Sequence, residues 1–279
     1  MENFGVLKIL PISLLSISFV LTVFPQYNPG AKQISLANSD VSLANDVFSI
    51  FSNPAGLSQI RCREIGLYYS PAPFGFTELA NGFLAYNEPF SFGAIGIGGM
   101  TYGFELYREN KFTAAFSYNY EDKFYTGVSL NYHTVSIKKY GSTGAFYADI
   151  GSLIYLTKFF RLGFFIHNIN RATFGNYKDQ IPVIFKTGVS FDILNNFSLC
   201  TAVEKDIRYN ASISAGLDYQ IIKYFSLRTG FSNEPSRYTA GIGINYSFIE
   251  LDYAVFTHPD LGLTHQAGLI ISFDLEESK

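Results

Sequence analysis

The chain has no tryptophan, two cysteines, two methionines and only 15% charged residues. Soluble domains carry about 25% charged residues, so a surface that faces water on all sides is excluded. Lys and Arg number 20 against 23 Asp and Glu, for a net charge of −3. No basic cluster offers a track for phosphates, which excludes nucleic acid as a partner. Cys62 and Cys200 lie far apart in the chain and predict two thiols without a disulfide or a metal centre. The sequence lacks a Gly-rich phosphate loop, a nucleophile elbow and any Cys/His metal spacing. It therefore predicts a non-enzyme with no cofactor and no metal. His258-Pro259-Asp260 and His265 share one loop region. They are expected as exposed loop residues, with weak metal binding as the alternative.

Long apolar runs are also missing, with one exception. Residues 9–24 are almost wholly apolar, between Lys8 and Pro25. That length suits the hydrophobic part of a secretory signal and is short of the roughly 20 residues of a spanning helix. Residues 1–31 are predicted as an export signal, with Ala31 and Ala37 as candidate ends. An uncleaved N-terminal anchor is the alternative.

What is abundant is aromatic and small. There are 28 Phe, 20 Tyr and 24 Gly, and hydrophobic residues reach 48%. This mixture suits β-structure with one face in an apolar medium. From Glu64 onward the period is two. Phe124, Thr126, Val128, Leu130 and Tyr132 alternate with Tyr125, Gly127, Ser129, Asn131 and His133. Tyr238, Ala240, Ile242, Ile244 and Tyr246 alternate with Thr239, Gly241, Gly243 and Asn245. Fourteen such segments follow one another, near 64–70, 78–87, 91–102, 111–120, 123–137, 144–156, 159–168, 183–193, 197–206, 211–221, 224–232, 237–247, 248–257 and 264–274. Links between them alternate in size. Asn87-Glu88-Pro89, Glu121-Asp122 and Thr157-Lys158 are short, while 71–77, 103–110, 138–143 and 169–182 are longer. The fold class predicted is all-β: a 14-stranded antiparallel up-and-down transmembrane β-barrel over 64–279. Short periplasmic turns, longer outside loops and an even strand count place both termini in the periplasm. A soluble sandwich would alternate as well, but with more charge on its polar face.

Residues 32–63 are predicted as a plug. Asp40 can cap a short helix running to about Phe51, with Ala44, Val47, Phe48 and Phe51 on one face. Asn53-Pro54-Ala55-Gly56 then stops the helix and turns the chain toward the barrel. A plain helix C-cap is the alternative. Ten ionisable residues fall on the polar, lumen-facing side: Asp149, Arg161, His167, Lys186, Asp192, Glu204, Asp218, Arg228, Glu250 and Asp252. Charges there must be paired or wet. They are expected to form a stabilising network, with a selectivity device as the alternative. Residues that face each other across a hairpin have numbers summing to twice the turn centre. Centres at Lys158, Asn195 and Lys223 therefore put Asp149 opposite His167, Lys186 opposite Glu204, and Asp218 opposite Arg228.

The run 42–57, Ser-Leu-Ala-Asn-Asp-Val-Phe-Ser-Ile-Phe-Ser-Asn-Pro-Ala-Gly-Leu, resembles the N-terminal signature of the PorV/PorQ family within the FadL-like outer-membrane group. Asp149-Ile150-Gly151, Leu227-Arg228-Thr229-Gly230-Phe231 and Ala240-Gly241-Ile242-Gly243 echo the same family. The resemblance implies a fourteen-stranded bacterial outer-membrane barrel with an N-terminal hatch that carries Asn53, Pro54, Ala55 and Gly56. PorV-like members serve type IX secretion, so the leading expectation is a role in type IX-like secretion or surface attachment. FadL-like members carry hydrophobic compounds, so a conduit for hydrophobic small molecules is the alternative. Gly93, Gly96, Gly98 and Gly99 in the third segment are expected to weaken strand pairing at a lateral opening in that case. A passive porin for polar solutes fits the charged lumen but not the plug. The partners expected are outer-membrane lipid, other envelope or secretion proteins under the first expectation, and hydrophobic small molecules under the second.

Overall fold

The computed structural model of the chain describes residues 29–175, 179–258 and 260–273. The export signal expected at 1–31 lies outside the described residues up to position 28. Fourteen antiparallel strands close on themselves. They are β1 (Arg63–Ser70), β2 (Asn81–Phe90), β3 (Gly93–Gly103), β4 (Tyr107–Tyr120), β5 (Phe124–Ile137), β6 (Gly141–Tyr155) and β7 (Phe160–His167). Then follow β8 (Ile184–Leu194), β9 (Phe197–Asp206), β10 (Ser212–Ile222), β11 (Phe225–Asn233), β12 (Ser236–Tyr246), β13 (Ile249–His258) and β14 (Gly262–Phe273). Each strand pairs with the next, and β14 returns to β1 from Arg63↔Phe273 to Tyr69↔Ala267. Closure leaves no unpaired strand edge, which an apolar medium requires.

The period of two decides which face is which. Phe112, Phe116, Val128, Leu130 and Tyr132 point outward and are exposed, whereas Thr113, Ser117, Ser129 and Asn131 are buried in the lumen. The three hairpin centres hold: Lys186 pairs with Glu204, Asp218 with Arg228, and the 150↔166 pairing brings Asp149 beside His167. Two expectations about links need correction. The second turn falls at Ser91 and Phe92, not at Asn87-Glu88-Pro89, because β2 continues to Phe90. Pro89 sits one residue from the strand end, where its missing N–H removes little of the ladder. Most outside links are also tighter than expected. Between β3 and β4 only 104–106 intervene, and between β5 and β6 only 138–140. Glu109 falls in the link expected at 103–110, but here it lies within β4 and faces the lumen. Only 71–80 and 168–183 remain long; the latter carries a small ribbon, Thr173–Phe174 against Asp179–Gln180.

Residues 31–60 wind through the barrel and touch the wall around its circumference. Helix α1 (Ala31–Ser35) meets β11 to β14, and a 3-10 turn, Asp40–Ser42, meets β7 to β9. Helix α2 (Ser49–Ser52) meets β3 and β4, and a second 3-10 segment, Pro54–Gln59, meets β2 to β6. The single helix expected from Asp40 to about Phe51 is therefore two short pieces. Asp40 makes no side-chain cap, and Ala44 has a positive φ of 33°. Asp46 Oδ1 instead accepts from the Phe48 N–H at 3.0 Å, a local alternative to helix that Asp favours. The broken path lets the plug backbone follow the curved wall.

That backbone comes so close that the wall has no room for side chains at the contact. A Cβ at Gly127 would stand 2.5 Å from the Ala55 nitrogen, and one at Gly163 would stand 2.6 Å from the Ser42 Cα. Gly216 and Gly230 face Leu36 and Ala37 in the same way. The obstacles are backbone atoms, so they cannot rotate aside. A Gly127→Val substitution is expected to loosen the plug by the roughly 1–3 kcal/mol typical of overpacking. Limited trypsin digestion in detergent checks this. The variant barrel should be cut at Lys32, which is buried in the native protein; protection equal to that of the native chain would contradict the close-contact explanation.

Candidate functional site

Asn53 organises the turn that docks the plug. Its amide nitrogen donates to the Val41 carbonyl at 2.7 Å and to the Ser152 carbonyl of β6 at 3.3 Å. Its side-chain oxygen accepts from the Ala55 N–H at 3.3 Å. One buried side chain thus ties two plug segments to the wall and caps the segment that Pro54 begins. A Cβ at Gly56 would collide with Ala44, which fixes glycine there. Ser58 and Ser117 hydroxyls meet at 2.7 Å and anchor the far end of the motif to β4.

All ten sequence-predicted lumen charges face inward, but they form four groups and not one network. Asp149 pairs with His167 at 2.9 Å. It also accepts from the Asn131 amide at 2.8 Å and from the Asn168 N–H at 2.8 Å. Arg161 pairs with Asp192 at 2.6 Å, and Ser198 donates to the same carboxylate. Lys186 lies 3.5 Å from Glu204. The fourth group centres on Arg228, which meets Asp218 at 3.2 Å, Glu250 at 3.4 Å and Asp252. The first three groups share strands and stay apart along them: β7 carries Arg161 and His167 six residues apart, and β8 carries Lys186 and Asp192 six residues apart.

The plug adds charges that sequence reasoning missed. Lys32 approaches Asp46 at 3.7 Å and donates to Asn45 at 2.9 Å. Burial opposes the Lys32 charge, but Glu250 and Asp46 outweigh it and raise its pKa. Burial also pushes the Asp46 carboxyl up, against the pull of Lys32. Lys32 is thereby the plug's answer to the three carboxylates around Arg228. Sequence reasoning also misses His133 with Glu109, 2.8 Å apart, because a charged Glu109 reads as loop. The alternation of 107–120 through Glu109, Lys111 and Thr113 is the signal that could have found it. His258 and His265 are not loop residues. His258 ends β13 and packs on Phe74, and His265 meets the Tyr253 hydroxyl at 2.6 Å on the outer face.

The opposite sector of the lumen is apolar. One continuous buried cluster joins Ile60, Phe48, Ile50, Phe51 and Leu57 of the plug to Tyr68, Phe83, Met100, Tyr102, Phe256 and Ile270 of the wall. Cys62 adjoins it at the periplasmic end, and Phe74 and Leu79 adjoin it at the outer mouth. Phe51 meets Phe83 edge-on at 5.3 Å, and Phe83 meets Tyr68 at 5.7 Å. The glycines of β3 serve this cluster. Gly96 makes room for Leu57 and Ile50, and Gly98 for Phe51. The strand is paired along its length on both sides. The lateral opening expected there is therefore absent in this conformation: the space the glycines leave is taken up by plug side chains.

Replacing Arg228 with Met leaves Asp218, Glu250 and Asp252 facing one another. Removing one partner of a buried ionic group costs about 3–5 kcal/mol, so the midpoint of urea unfolding should fall clearly. Far-ultraviolet circular dichroism reads it without tryptophan. Pairing Arg228→Met with Asp252→Leu should recover part of the loss; no recovery would contradict the assignment of Arg228 as the group's counter-ion.

No protein-family model and no curated protein matches the chain. Solved structures match it in fold. The CymD monoaromatic hydrocarbon channel gives a TM-score of 0.72 at 13% identity, covering 90% of this chain and 99% of that one. The P. putida toluene transporter TodX gives 0.65 at 13%, covering 90% and 100%. A Pseudomonas aeruginosa FadL homologue gives 0.61 at 12%, covering 88% and 97%. The likeness is one of fold: the chain is a closed 14-strand barrel of the bacterial outer membrane, built like the FadL-type barrels.

Proposed function

We propose that the protein is a non-enzymatic conduit for small hydrophobic molecules, with residues 32–63 as its plug. The observation that carries this reading is the apolar column from Phe74 and Leu79 at the outer mouth to Ile60 and Cys62 at the periplasmic end. A porin for polar solutes has no use for such a column. A hydrophobic molecule gains by moving along it, since apolar surface is favoured out of water by about 25 cal/mol per Å². Two of the fold neighbours are a hydrocarbon channel and a toluene transporter, which supports the same choice. The secretion role implied by the PorV/PorQ resemblance calls for an outer platform for cargo. Outside links of a few residues, apart from 71–80 and 168–183, offer little surface for one. The conduit reading also explains the plug's apolar face. Phe48, Phe51, Ile50 and Leu57 close the column and must shift for passage.

A removable lock tests this. Ser58→Cys with Ser117→Cys, in a chain with Cys62→Ser and Cys200→Ser, joins the plug to β4 where the hydroxyls now meet. Cells that lack other hydrophobic channels and express the unlocked protein should take up radiolabelled toluene faster than cells without it. Glucose uptake should not change. Oxidising the pair should abolish the gain, and reduction should restore it. Toluene uptake equal with and without the protein would overturn the conduit reading.

A further inference from the structure

We propose that Phe74 is the outer stopper of the apolar column and that strain in its own backbone primes it to open. The proposal rests on the conduit reading and adds to it the residue that controls access from outside. Phe74 lies in the 71–80 connection between β1 and β2, within a short 3-10 turn, Pro73–Gly75. Its ring is half-buried and packs against the column. It meets Phe256 edge-on at 5.6 Å and His258 at 5.3 Å. Above it, Phe76 is exposed, so the buried column ends at Phe74.

The backbone that holds this ring is unusual. Phe74 has φ 58° and ψ 20°, a left-handed conformation that is a genuine outlier for a bulky residue. Gly75 follows with φ 83°. Two successive left-handed residues fold the turn inward and drive the ring down. Such strain persists only where surrounding contacts hold it, and it gathers at clamps and switches. Here the holding contacts are few. The Phe74 N–H donates to the Thr264 hydroxyl of β14 at 2.9 Å, and the ring has its aromatic neighbours. Pro73 is buried, but the chain from Gly75 to Glu78 is exposed, and a Cβ on Gly75 would meet nothing within 4 Å. If Phe74 relaxes to an ordinary extended backbone, its ring leaves the column and the route beneath it opens. A hydrophobic molecule that replaces the ring against Phe256 compensates for the lost contacts. The closed state is thus one that the transported class of molecule can itself displace.

The test reads access directly and does not depend on transport. Met100, buried in the column beneath, is replaced by Cys in a chain with Cys62→Ser and Cys200→Ser. The folded barrel in detergent is treated with N-phenylmaleimide, and the labelling rate is followed by mass spectrometry. With Phe74 present, labelling should be slow. Phe74→Ala should raise it by about tenfold or more, the population change expected when a strained, few-contact closure is lost. Gly75→Ala keeps the ring and all its contacts but adds backbone strain to the closed turn. It should also raise labelling, and so should Thr264→Val, which removes the anchoring hydroxyl. Phe76→Ala should leave the rate unchanged, and a boiling-dependent gel shift confirms that each barrel is folded. Labelling that is fast with Phe74 in place, or unaffected by both Phe74→Ala and Gly75→Ala, would overturn the stopper. Gated labelling without any toluene uptake would instead leave the stopper standing and defeat the conduit.

Discussion

The backbone of residues 31–60 lies against the barrel wall at van der Waals distance, and most other features follow from that closeness. Fourteen strands enclose more space than wall side chains alone fill. A second stretch of chain must fill it, and the curved wall does not admit a long straight helix. The plug is accordingly a string of short helical turns, each seated where the wall presents a glycine. Gly127, Gly163, Gly216 and Gly230 are large contributors to this fit because they contribute no side chain. In a packed interior an added methyl group is felt at once, so plug and wall hold each other in place.

Filling the lumen in this way divides it. One side carries Asp149, Arg161, Lys186 and Arg228 with their partners, and the plug sends Lys32 and Asp46 toward it. The other side carries rings and aliphatic groups from Ile60 to Phe74. Ionic groups in the membrane interior are costly unless matched. Pairing meets that need for these groups and for His133 with Glu109, while Lys111 reaches into the apolar sector and lies 5.0 Å from the centre of the Phe51 ring. The result is a barrel with most of its paired charges on one side and a packed apolar cluster on the other.

Much of this was legible in the sequence. Alternation from Glu64 onward gave the strand number, the inward face and the hairpin register, because a slip of one residue would turn every charge toward lipid. Asn53 to Gly56 marked the plug. The remainder was hidden for physical reasons. Glu109 carries charge near the start of β4, and charge in a short segment looks like loop when the lumen is not yet known. The plug's breaks at Ala44 and Asn53 follow the wall's curvature, which no local propensity encodes. Gly96 and Gly98 suggested a weak strand, yet they are sites where Ile50, Leu57 and Phe51 arrive from a distant part of the chain. The left-handed Phe74 has no signal of its own beyond the neighbouring Pro73 and Gly75.

The central claim is that residues within the plug, and not the barrel's own side chains, close the lumen. Conductance across a planar bilayer measures this most directly. The intact protein should pass almost no current. A chain in which 38–57 is replaced by a flexible Gly/Ser linker should show stable, discrete channel openings. Equal conductance with and without the plug would contradict the claim.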